Sequence, residues 1–334
     1  MSTELMDGGA SEDFCDPLMR HHISRYRGSA MPSADARYMA AKMTGTARYR
    51  LTGKLGNAPH INIPAHGDVP PLESFDLASS ADADGNISVI VGGDEQPGAW
   101  MDVSPEAGLL FFREYFADWE DVEYSHLVFE RIDGDAPSKG LTADSMSDML
   151  ETVISTIESR VPFWKGLIGQ IRDSHDNTVD PPIVEPFGLG DIMYGRGWFN
   201  LQADEALIIE VDPPECVHWS FQLGNYWGEW LDVANFTCSL NGEQAITDSD
   251  GTYRLVIARE DPGVANWLDP AGHREGIIYS RFHLPEGQPV QRDHHVKLSE
   301  LFTVVPEDTR RVTPAERTTA VDARRHNFVR RWPP

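Results

Sequence analysis

The chain has 334 residues, of which 40% are hydrophobic and 10% aromatic, enough to bury a sizeable core and too many for a disordered protein. Its 53 acidic residues against 28 basic ones give a formal net charge of −25, which argues against nucleic acid or an anionic membrane as the main partner. At roughly 150 residues per domain, this length predicts two domains or one duplicated domain.

No run of residues approaches the roughly 18 consecutive apolar positions of a membrane span, so we expect no membrane partner. The three cysteines, Cys15, Cys216 and Cys238, have no metal-ligand spacing and cannot all be paired, which is typical of a reducing compartment. The start of the chain includes Glu4 and Asp7 and no apolar segment, so we predict neither a signal peptide nor a transit peptide. The chain is therefore expected to be cytoplasmic.

Residues 1–45 predict a polar N-terminal arm with one or two short helices, because the residues from Met39 to Met43 form a weak amphipathic segment. From Tyr49 onward, short alternating runs are separated by Gly, Pro and Asp-Gly, the pattern of strands and turns. We assign residues 46–135 to a first β-sandwich repeat.

Four segments of this repeat recur in the same order about half a chain length later. The pairs are 49–57 (YRLTGKLGN) with 217–225 (VHWSFQLGN), 82–91 (DADGNISVIV) with 248–257 (DSDGTYRLVI), 95–102 (EQPGAWMD) with 261–269 (DPGVANWLD), and 108–116 (GLLFFREYF) with 276–284 (GIIYSRFHL). The common order predicts a structural duplication. The alternative is two unrelated runs of hairpins that share Asp-Gly turns for local reasons.

Residues 136–190 predict a helical linker that contains two helices. Apolar residues at helical spacing indicate the first helix, with Thr142 as its N-cap and Arg160 near its C-terminal end. Pro162 suits the first turn of a second helix, since its missing N–H is not needed there. The second β-sandwich repeat then spans residues 191–305.

Residues 306–334 predict a basic C-terminal helix. Thr313 and Glu316 form a capping box with Pro314 at the first helical position, and arginine recurs every seven residues. We expect this helix to dock on the acidic body of its own chain or on a neighbouring protomer. The chain is thus predicted to be mainly β, a duplicated, jelly-roll-like β-sandwich with an inserted helical pair and a C-terminal helix, and to form a homo-oligomer.

Long motifs in the second half resemble a known family. They are DEALIIEVDPP (204–214), HWSFQLGNYWGEWLD (218–232), SLNGEQA (239–245) and DGTYRLVIAREDPGVANWLDPAGHREG (250–276), with YGRGWFNL (194–201) and REYFADW (113–119) upstream. They are similar to the bacterial domain of unknown function 1214 family, especially its stand-alone actinobacterial and sphingomonad members. The resemblance implies a β-sandwich of jelly-roll character and a setting among catabolic genes for hydrophobic compounds, but no reaction, catalytic residue or cofactor.

The usual fingerprints of cofactor binding and nucleophilic catalysis are absent from the sequence. It contains no GxGxxG motif opening a helix, no phosphate-binding loop, no His-Glu-x-x-His and no Gly-x-Ser-x-Gly. The histidines of the second half match no metal-ligand spacing. We therefore predict no organic cofactor and no metal site.

Alternation along two predicted strands separates a polar face from an apolar face. Along 277–284 one face presents Ile277, Tyr279, Arg281 and His283, and along 217–223 the polar face presents His218, Ser220 and Gln222. If these faces line a cavity, they can bind a carboxylate or polarise a carbonyl, with histidine as acid or base. The alternative is a solvated outer face.

Arg281 lies in the middle of a predicted strand among large apolar residues, and a buried guanidinium needs a carboxylate or carbonyl partner. Arg113 repeats this arrangement in the first half. The repetition favours a structural ion pair, with Asp102 and Asp269 as partners at equivalent places. A clamp for a substrate anion in one copy is the alternative.

The loop 260–274 contains many reactive side chains, and an Asp269–His273 dyad is possible there. The alternative is a rigid loop whose acids and amides cap turns and whose Trp267 plugs the end of the sandwich. An aromatic cluster that includes Trp219 and Trp227 predicts either core packing or a platform for a hydrophobic or sugar ligand.

These patterns predict a cofactor-independent acid/base enzyme, a lyase, isomerase or hydrolase, that acts on a small hydrophobic catabolite. The catalytic candidates are His283, Arg281, Asp269, His273 and His218, and the substrate-binding candidates are Tyr279, Trp219, Trp227, Trp267 and Asn266. The alternatives are a non-catalytic β-sandwich binding module for a hydrophobic or carbohydrate ligand, and a structural scaffold. Because only the second copy has His273 and His283, we expect any site to lie in the second half.

Overall fold

The computed structural model of this protein describes residues 20–21, 31–66, 74–134, 142–186 and 188–331. The strands of its first half are β1 (Arg20–His21), β2 (Ala36–Lys42), β3 (Tyr49–Lys54), β4 (His60–Asn62), β5 (Ala65–His66), β6 (Asn86–Val91), β7 (Trp100–Met101), β8 (Leu109–Tyr115) and β9 (His126–Arg131). They form one sheet in the order β1-β2-β8-β4, with β5 also on β8, and a second sheet in the order β7-β6-β3-β9.

The second half repeats this plan. Its strands are β10 (Thr178–Val179), β11 (Ile183–Val184), β12 (Ile192–Asn200), β13 (Glu205–Asp212), β14 (His218–Gly224), β15 (Ser239–Asn241), β16 (Tyr253–Ala258), β17 (Trp267–Leu268), β18 (Glu275–His283) and β19 (Val290–Lys297). One sheet has the order β10-β12-β18-β14-β15, with β11 on β12, and the other has the order β17-β16-β13-β19.

Three helices accompany the strands in the described parts of the chain: α1 (Ala143–Ser174), α2 (Leu301–Val304) and α3 (Pro314–Arg331). Short 3₁₀ helices lie at Ala78–Ser80 and Leu298–Glu300. None of the described helices combines the length and the apolar composition that a membrane crossing requires.

The predicted mainly β, duplicated architecture is confirmed by the strand pairing. In both halves a central strand, β3 or β13, lies between two antiparallel neighbours, and in both a short strand, β7 or β17, adds in parallel at the edge. The other sheet is equivalent too, with β8 between β2 and β4 and β18 between β12 and β14.

One of the four predicted repeat alignments is wrong. The segment 49–57 forms β3, whose equivalent by pairing is β13, whereas 217–225 forms β14, the equivalent of β4. The Leu-Gly-Asn that the two segments share follows strands from different sheets. The other three alignments match β6 with β16, β7 with β17, and β8 with β18.

Each half has its own apolar core between its two sheets. Leu110 and Phe112 of β8 are buried in the first core, and Ile278 and Phe282 of β18 are buried in the second. Because side chains alternate along a strand, the intervening residues of β8 and β18 point away from these cores. That alternation places the polar side chains of β8 and β18 on the faces opposite the two apolar cores.

The N-terminal arm differs from its prediction. Ala36–Lys42 is not helical but forms β2, which pairs with β8 over seven residues. Ladder hydrogen bonds to β8 outweigh a weak helical pattern, as tertiary context commonly outweighs propensity. Residues 1–19 and 22–30, and with them Cys15, lie outside the described part of the chain, while Cys216 and Cys238 are free thiols.

The predicted pair of helices is a single helix. α1 runs through Pro162 from Ala143 to Ser174. Pro162 is exposed and removes one backbone donor, while the apolar stripe continues in phase on both sides of it, so Ile168 and Ile171 pack on the second half.

The basic helix α3 docks on its own chain. Thr313 and Glu316 form the predicted capping box, in which the Thr313 N–H donates to Glu316 Oε2 at 2.7 Å. Arg324 Nε donates to the Val233 carbonyl at 2.7 Å in the second half. Arg331 donates to the Asp35 carbonyl at 2.9 Å at the N-terminal edge of the first half, so α3 links the two halves. Trp332 lies outside the described residues.

Candidate functional site

The polar faces of β14 and β18 are buried against the first half of the chain. The predicted face residues Tyr279, Arg281, His283, His218, Ser220 and Gln222 are all buried. The alternative that these residues form a solvated outer face is therefore wrong, because β4, β8 and the segment before β2 cover them.

Equivalent positions of the two halves meet in this layer. By strand register, the pairs are Asp35 with Asp191, Tyr38 with Tyr194, His60 with His218, Asn62 with Ser220, Arg113 with Arg281, and Tyr115 with His283. We call these twelve residues the interlayer cluster. It is a pseudo-twofold arrangement in which four of the six pairs are identical, Asn62 matches Ser220, and only the pair Tyr115 and His283 differs in acid/base chemistry.

The aspartates of the interlayer cluster cross between the halves. Asp191 Oδ2 lies 3.1 Å from His60 Nε2, and Asp35 Oδ2 lies 3.3 Å from His218 Nε2. Each half therefore supplies the carboxylate that orients a histidine of the other half. Breaking the contact between the halves would remove both pairs together.

A chain of hydrogen bonds leads from Asp191 to His283. His60 Nδ1 lies 2.7 Å from His283 Nδ1, and its Nε2 faces Asp191. Since a carboxylate only accepts, His60 donates from Nε2, and its Nδ1 accepts from His283 Nδ1–H. That tautomer leaves the lone pair of His283 on Nε2, which has no hydrogen-bond partner among the described residues.

His283 is held neutral. Complete burial is the main cause that lowers its pKa well below the ordinary value, and the neighbouring His218, His60 and Arg281 lower it further. A neutral imidazole with a free ring nitrogen is a base that is ready to accept a proton.

Asp35 is held ionised at the opposite pole of the interlayer cluster. Burial would raise its pKa, but hydrogen bonds and charges from His218, Arg331 and Asn241 outweigh burial, so the pKa lies below its ordinary value. Its Oδ1 accepts from Trp119 Nε1 and from Asn241 Nδ2, each at 2.8 Å. A carboxylate with so many donors fixes its own position and that of His218.

Among the residues that the structure describes, neither arginine of the interlayer cluster has a carboxylate partner. Arg281 donates to the Met31 carbonyl and lies 4.6 Å from the ring centre of Tyr279, and its Nη1 is unpartnered within the described residues. Arg113 lies 5.3 Å from the ring centre of Phe111, and its Nε is likewise buried without a partner there.

The ion pairs expected for these arginines are wrong. Asp269 accepts the Ala271 N–H at 2.8 Å instead, and Asp102 is exposed. The reason lies in strand alternation, since Arg281 and Arg113 point away from their own sandwich and toward the other half. Burial is the main cause that raises the pKa of Asp269 above its ordinary value.

Tyrosine hydroxyls surround the arginines. Burial raises the pKa of Tyr194 to about 12 and raises those of Tyr115 and Tyr279 far above their ordinary value. These phenols therefore stay protonated and remain donors at neutral pH. The Tyr115 ring lies 4.3 Å from the His283 ring, centre to centre, so it also packs the base.

The interlayer cluster reaches solvent at one edge. The Asp191 side chain is 18% exposed, and Tyr194 and Arg113 are half-buried. Leu284 and Val217 are exposed beside this edge, where Leu284 N–H donates to Asp191 and Val217 N–H donates to His283 through backbone bonds. An entering molecule would thus meet an apolar rim first.

The remaining candidates lie away from the interlayer cluster. His273 is exposed, Trp219 is in the second core, and Trp227 is 59% exposed. Asn266 bonds both backbone groups of Ile246, and Trp267 donates to the Ala258 carbonyl. The loop 260–274 thus fits the alternative of a rigid loop rather than an Asp269–His273 dyad joined to the site.

Seven of the twelve residues of the interlayer cluster are not among the sequence-based candidates, and the expectation of a site within the second half alone is wrong for this cluster. Asp35, His60 and Tyr115 belong to the first half. A signal for them exists in the sequence: Asp-x-x-Tyr occurs at 35–38 and again at 191–194, each at the start of an equivalent strand. The misaligned first repeat segment concealed the match of His60 with His218.

Two other features lie outside the interlayer cluster. Among the described residues, no group of three or more His, Cys, Asp or Glu side chains has an arrangement that could hold a metal ion. A surface groove of about 520 Å³ lies between the loop 230–235 and α3, and both apolar residues, such as Trp230 and Phe328, and polar residues, Asp232, Asn235 and Arg325, line it. Its described lining contains no histidine, so it offers no pair comparable with His60 and His283.

Comparison with known proteins relates the fold but gives no activity. No family model matches the chain, and no curated protein matches it. The chain is similar to the crystal structure of an uncharacterized protein from Burkholderia cenocepacia, with a TM-score of 0.81 and 26% identity over 90% of this chain and 88% of that one. The VPA0106 protein of Vibrio parahaemolyticus matches with a TM-score of 0.49 and 10% identity over 79% of this chain and 90% of that one.

Proposed function

We propose that this protein is a cofactor-independent acid/base enzyme, a lyase, isomerase or hydrolase, that acts on a small hydrophobic molecule bearing a carbonyl or carboxylate. The observation that carries the proposal is the chain Asp191–His60–His283, which ends at a buried, neutral nitrogen without a partner among the described residues. Buried, perturbed histidines coupled to a carboxylate are typical of functional sites.

His283 is the proposed general base. Its Nε2 takes a proton from the substrate, and the positive charge that forms is shared through Nδ1–H with His60 and stabilised by Asp191. A positioned base of this kind contributes about 10²- to 10⁴-fold to a rate. Return of the proton to another atom gives an isomerisation, and its transfer to a leaving group gives an elimination.

The tyrosines are the proposed electrophilic partners. Tyr115 and Tyr194 keep their protons because burial raises the pKa of each, so their hydroxyls can donate to a carbonyl oxygen on which negative charge develops. The exposed apolar rim at Leu284 and Val217 supports a hydrophobic substrate.

His218 and Asp35 are proposed to position the base. The His218 ring meets the His283 ring edge-on, with 5.0 Å between ring centres, and Asp35 holds His218 from the other side. This pair contributes to catalysis by restricting His283 to one rotamer.

A non-catalytic binding module is the second candidate. It is supported by the exposed Trp227, whose ring lies 5.3 Å from that of Tyr226 and offers a flat face to a hydrophobic or carbohydrate ligand. Trp219 belongs to the core, so the surface platform is narrower than the sequence pattern indicates.

Membership of the bacterial domain of unknown function 1214 family is also proposed, on the motifs between residues 194 and 276. Those motifs form β12 to β18, which carry the second half of the interlayer cluster. The catabolic setting and the cytoplasmic location are proposed with it, as is a homo-oligomeric state.

Hydrogen–deuterium exchange at carbon tests the proposed function. Phenylacetone, cyclohexanone and 2-oxo-4-phenylbutanoate are incubated with the protein in D₂O, and loss of the proton signal beside the carbonyl is followed by NMR. We expect the wild type to accelerate exchange, His283→Ala to lower the rate by about 10²-fold or more, and the exposed control His273→Ala to retain it.

The outcomes separate the candidates. A compound that raises the melting temperature without exchanging its proton favours the binding module. If no compound in the panel either exchanges or shifts the melting temperature, the enzyme proposal is wrong for this substrate class.

A further inference from the structure

We propose that the interlayer cluster binds its ligand as a carboxylate anion, held between Arg113 and Arg281. The inference builds on the proposed function by naming the substrate class, a hydrophobic monocarboxylate. It is carried by a different observation from the histidine chain, namely positive charge inside the protein that no acidic side chain of the described residues neutralises.

Arg281 is only 4% exposed, and among the ion pairs of the described residues neither Arg281 nor Arg113 has a carboxylate. Neighbouring arginines on the paired strands do have one, since Arg37 pairs with Glu114 and Arg196 with Glu185. A buried guanidinium without an anion is strongly unfavourable, so an anionic ligand would remove an existing deficit.

The unpartnered polar atoms around the arginines are hydrogen-bond donors, which a carboxylate ligand needs. Arg281 Nη1, Arg113 Nε and Ser220 Oγ are buried, make no hydrogen bond to the rest of the described chain, and can all donate. Ser220 lies opposite Arg281 in the strand register of the second half, and Arg113 of the first half and Arg281 both lie near Tyr115 and Tyr194, so donors from both halves face the same two tyrosines. A carboxylate accepts several such bonds and matches a guanidinium in geometry.

The spacing along β18 places the reacting carbon. Arg281 and His283 are two residues apart on the same face, about 6.6 Å along the strand. A carboxylate bound at Arg281 therefore presents a carbon close to that carboxylate to His283. The rings of Tyr279 and Tyr38 beside the arginines provide apolar contact for the rest of the ligand.

Matched anionic and neutral probes test the inference. Binding of 3-phenylpropanoate and of the uncharged 3-phenylpropanamide is measured by calorimetry and thermal shift on the full chain. We expect the acid to bind at least 10-fold more tightly than the amide. Arg281→Met and Arg113→Met should each weaken the acid at least 10-fold, while Arg274→Met, at an exposed arginine, should not.

The melting temperature of the unliganded variants distinguishes a ligand site from structural arginines. Arg113→Met removes a charge without an acid partner among the described residues, so the free protein should melt at the same or a higher temperature, whereas Arg281→Met also removes the bond to the Met31 carbonyl and should lower the melting temperature. Equal binding of acid and amide, no binding of either, or wild-type affinity in both variants would overturn the inference. Charge-selective binding without proton exchange would leave it standing and reject the proposed enzyme.

A second surface, independent of the site, is the N-terminal part of α1. One apolar stripe runs along this helix, and its C-terminal members Ile168 and Ile171 are buried on the second half. The N-terminal members of the same stripe are uncovered: Met146 (38% exposed), Leu150 (57%), Ile154 (55%) and Val161 (48%). The stripe thus continues past the surface that covers its other end.

The charges of this segment indicate which partner packs on its apolar stripe. Three acids, Asp144, Asp148 and Glu151, precede the middle of the stripe, whereas two bases, Arg160 and Lys165, and one acid, Glu158, follow it. We infer that a second copy of the chain packs antiparallel on α1. Pairing centred on Ile154 aligns Arg160 of each copy with Asp148 of the other, whereas parallel pairing would align like charges.

Sedimentation of the full chain tests the pairing. We expect a dimer, a monomer for Ile154→Glu, and an unchanged dimer for Val329→Glu, a matched exposed position on α3. Arg160→Glu should dissociate the dimer at least 10-fold more readily, and adding Asp148→Arg should restore it. A monomeric wild type, or a dimer that Ile154→Glu does not affect, would refute the pairing.

Discussion

The two halves of the molecule have the same strand order but different chemistry at one equivalent position. Tyr115 of β8 and His283 of β18 occupy the same place in the register, and both are buried in the interlayer cluster. Burial lowers the pKa of His283, so its imidazole is unprotonated at neutral pH and keeps a free lone pair, whereas burial raises the pKa of Tyr115, so its phenol keeps its proton. One copy supplies a base where the other supplies a donor.

The comparison also shows where a duplicated protein can form a site. Neither sandwich contains the interlayer cluster in its own core. The cluster forms where the outward faces of β8 and β18 meet, and each half contributes a carboxylate to a histidine of the other. Duplication thus creates a buried polar layer that a single copy would expose to water.

Replacing His283 by the tyrosine found at the equivalent position of the first half should have the largest effect on the rate of proton exchange. His283→Tyr gives the second half the tyrosine that the first half has at the equivalent position, so the cluster loses its proposed base. We expect the rate of proton exchange to fall about 10²- to 10⁴-fold, the usual contribution of a general base. NMR-detected exchange with 2-oxo-4-phenylbutanoate measures the change. His273→Ala, at an exposed histidine away from the interlayer cluster, serves as the control, and retained activity in His283→Tyr would contradict the assignment of the base.

The crossing aspartates should differ in their contribution to stability. The buried carboxylate of Asp35 faces three donors, Trp119, Asn241 and His218, so Asp35→Asn should lower the free energy of unfolding by about 3 kcal/mol or more. Asp191 is nearer to solvent, so Asp191→Asn should cost about 1 kcal/mol. Urea unfolding measures both free energies of unfolding. Equal losses in the two variants would show that the Asp35–His218 and Asp191–His60 contacts contribute equally to stability.

The same pair of positions should limit stability at opposite ends of the pH scale. The pKa of His283 is lower in the folded state than in the unfolded chain, so unfolding takes up a proton and stability falls as pH drops below about 6.5. The pKa of Tyr115 is higher in the folded state, so stability falls as pH rises above about 10.

Each position contributes at most about 1.4 kcal/mol per pH unit. We therefore expect His283→Gln to flatten the acid side of the stability profile and Tyr115→Phe to flatten the alkaline side. Denaturant unfolding across the pH range gives the profiles. A variant that flattens the wrong side, or neither, would reject the corresponding pKa direction.

The smallest effect concerns the helix that links the halves. Thr313→Ala removes the N-cap of α3 and should lower the free energy of unfolding by about 1 kcal/mol without changing ligand binding. Thr319→Ala, in the interior of the same helix, is the matched control. A loss of ligand binding in Thr313→Ala would mean that the start of α3 also affects the interlayer cluster.

Much of this architecture could be predicted from local patterns. Alternation identified the polar face of β18 and its Arg281 and His283, and the capping box located the start of α3. Such features depend on neighbours in sequence. The strand β2 was missed because its pairing with β8, rather than its own composition, decides its conformation.

The partners within the site could not be predicted in the same way. His60 and Asp191 are distant in sequence, and only the packing of one half on the other brings them together. The polar face of β18 taken alone suits a solvated surface equally well. The continuous helix α1 follows from the same kind of cause, since packing of Ile168 and Ile171 favours it despite Pro162.

The bond from Arg331 to the Asp35 carbonyl spans 296 positions of sequence. On the ribosome, the segment before β2 therefore emerges long before the helix that secures it. The surroundings of Asp35, and with them the orientation of His218, are completed only when the last turns of α3 have been synthesised. A nascent chain that has finished both sandwiches would still lack its finished polar layer, so activity should appear late and abruptly during synthesis.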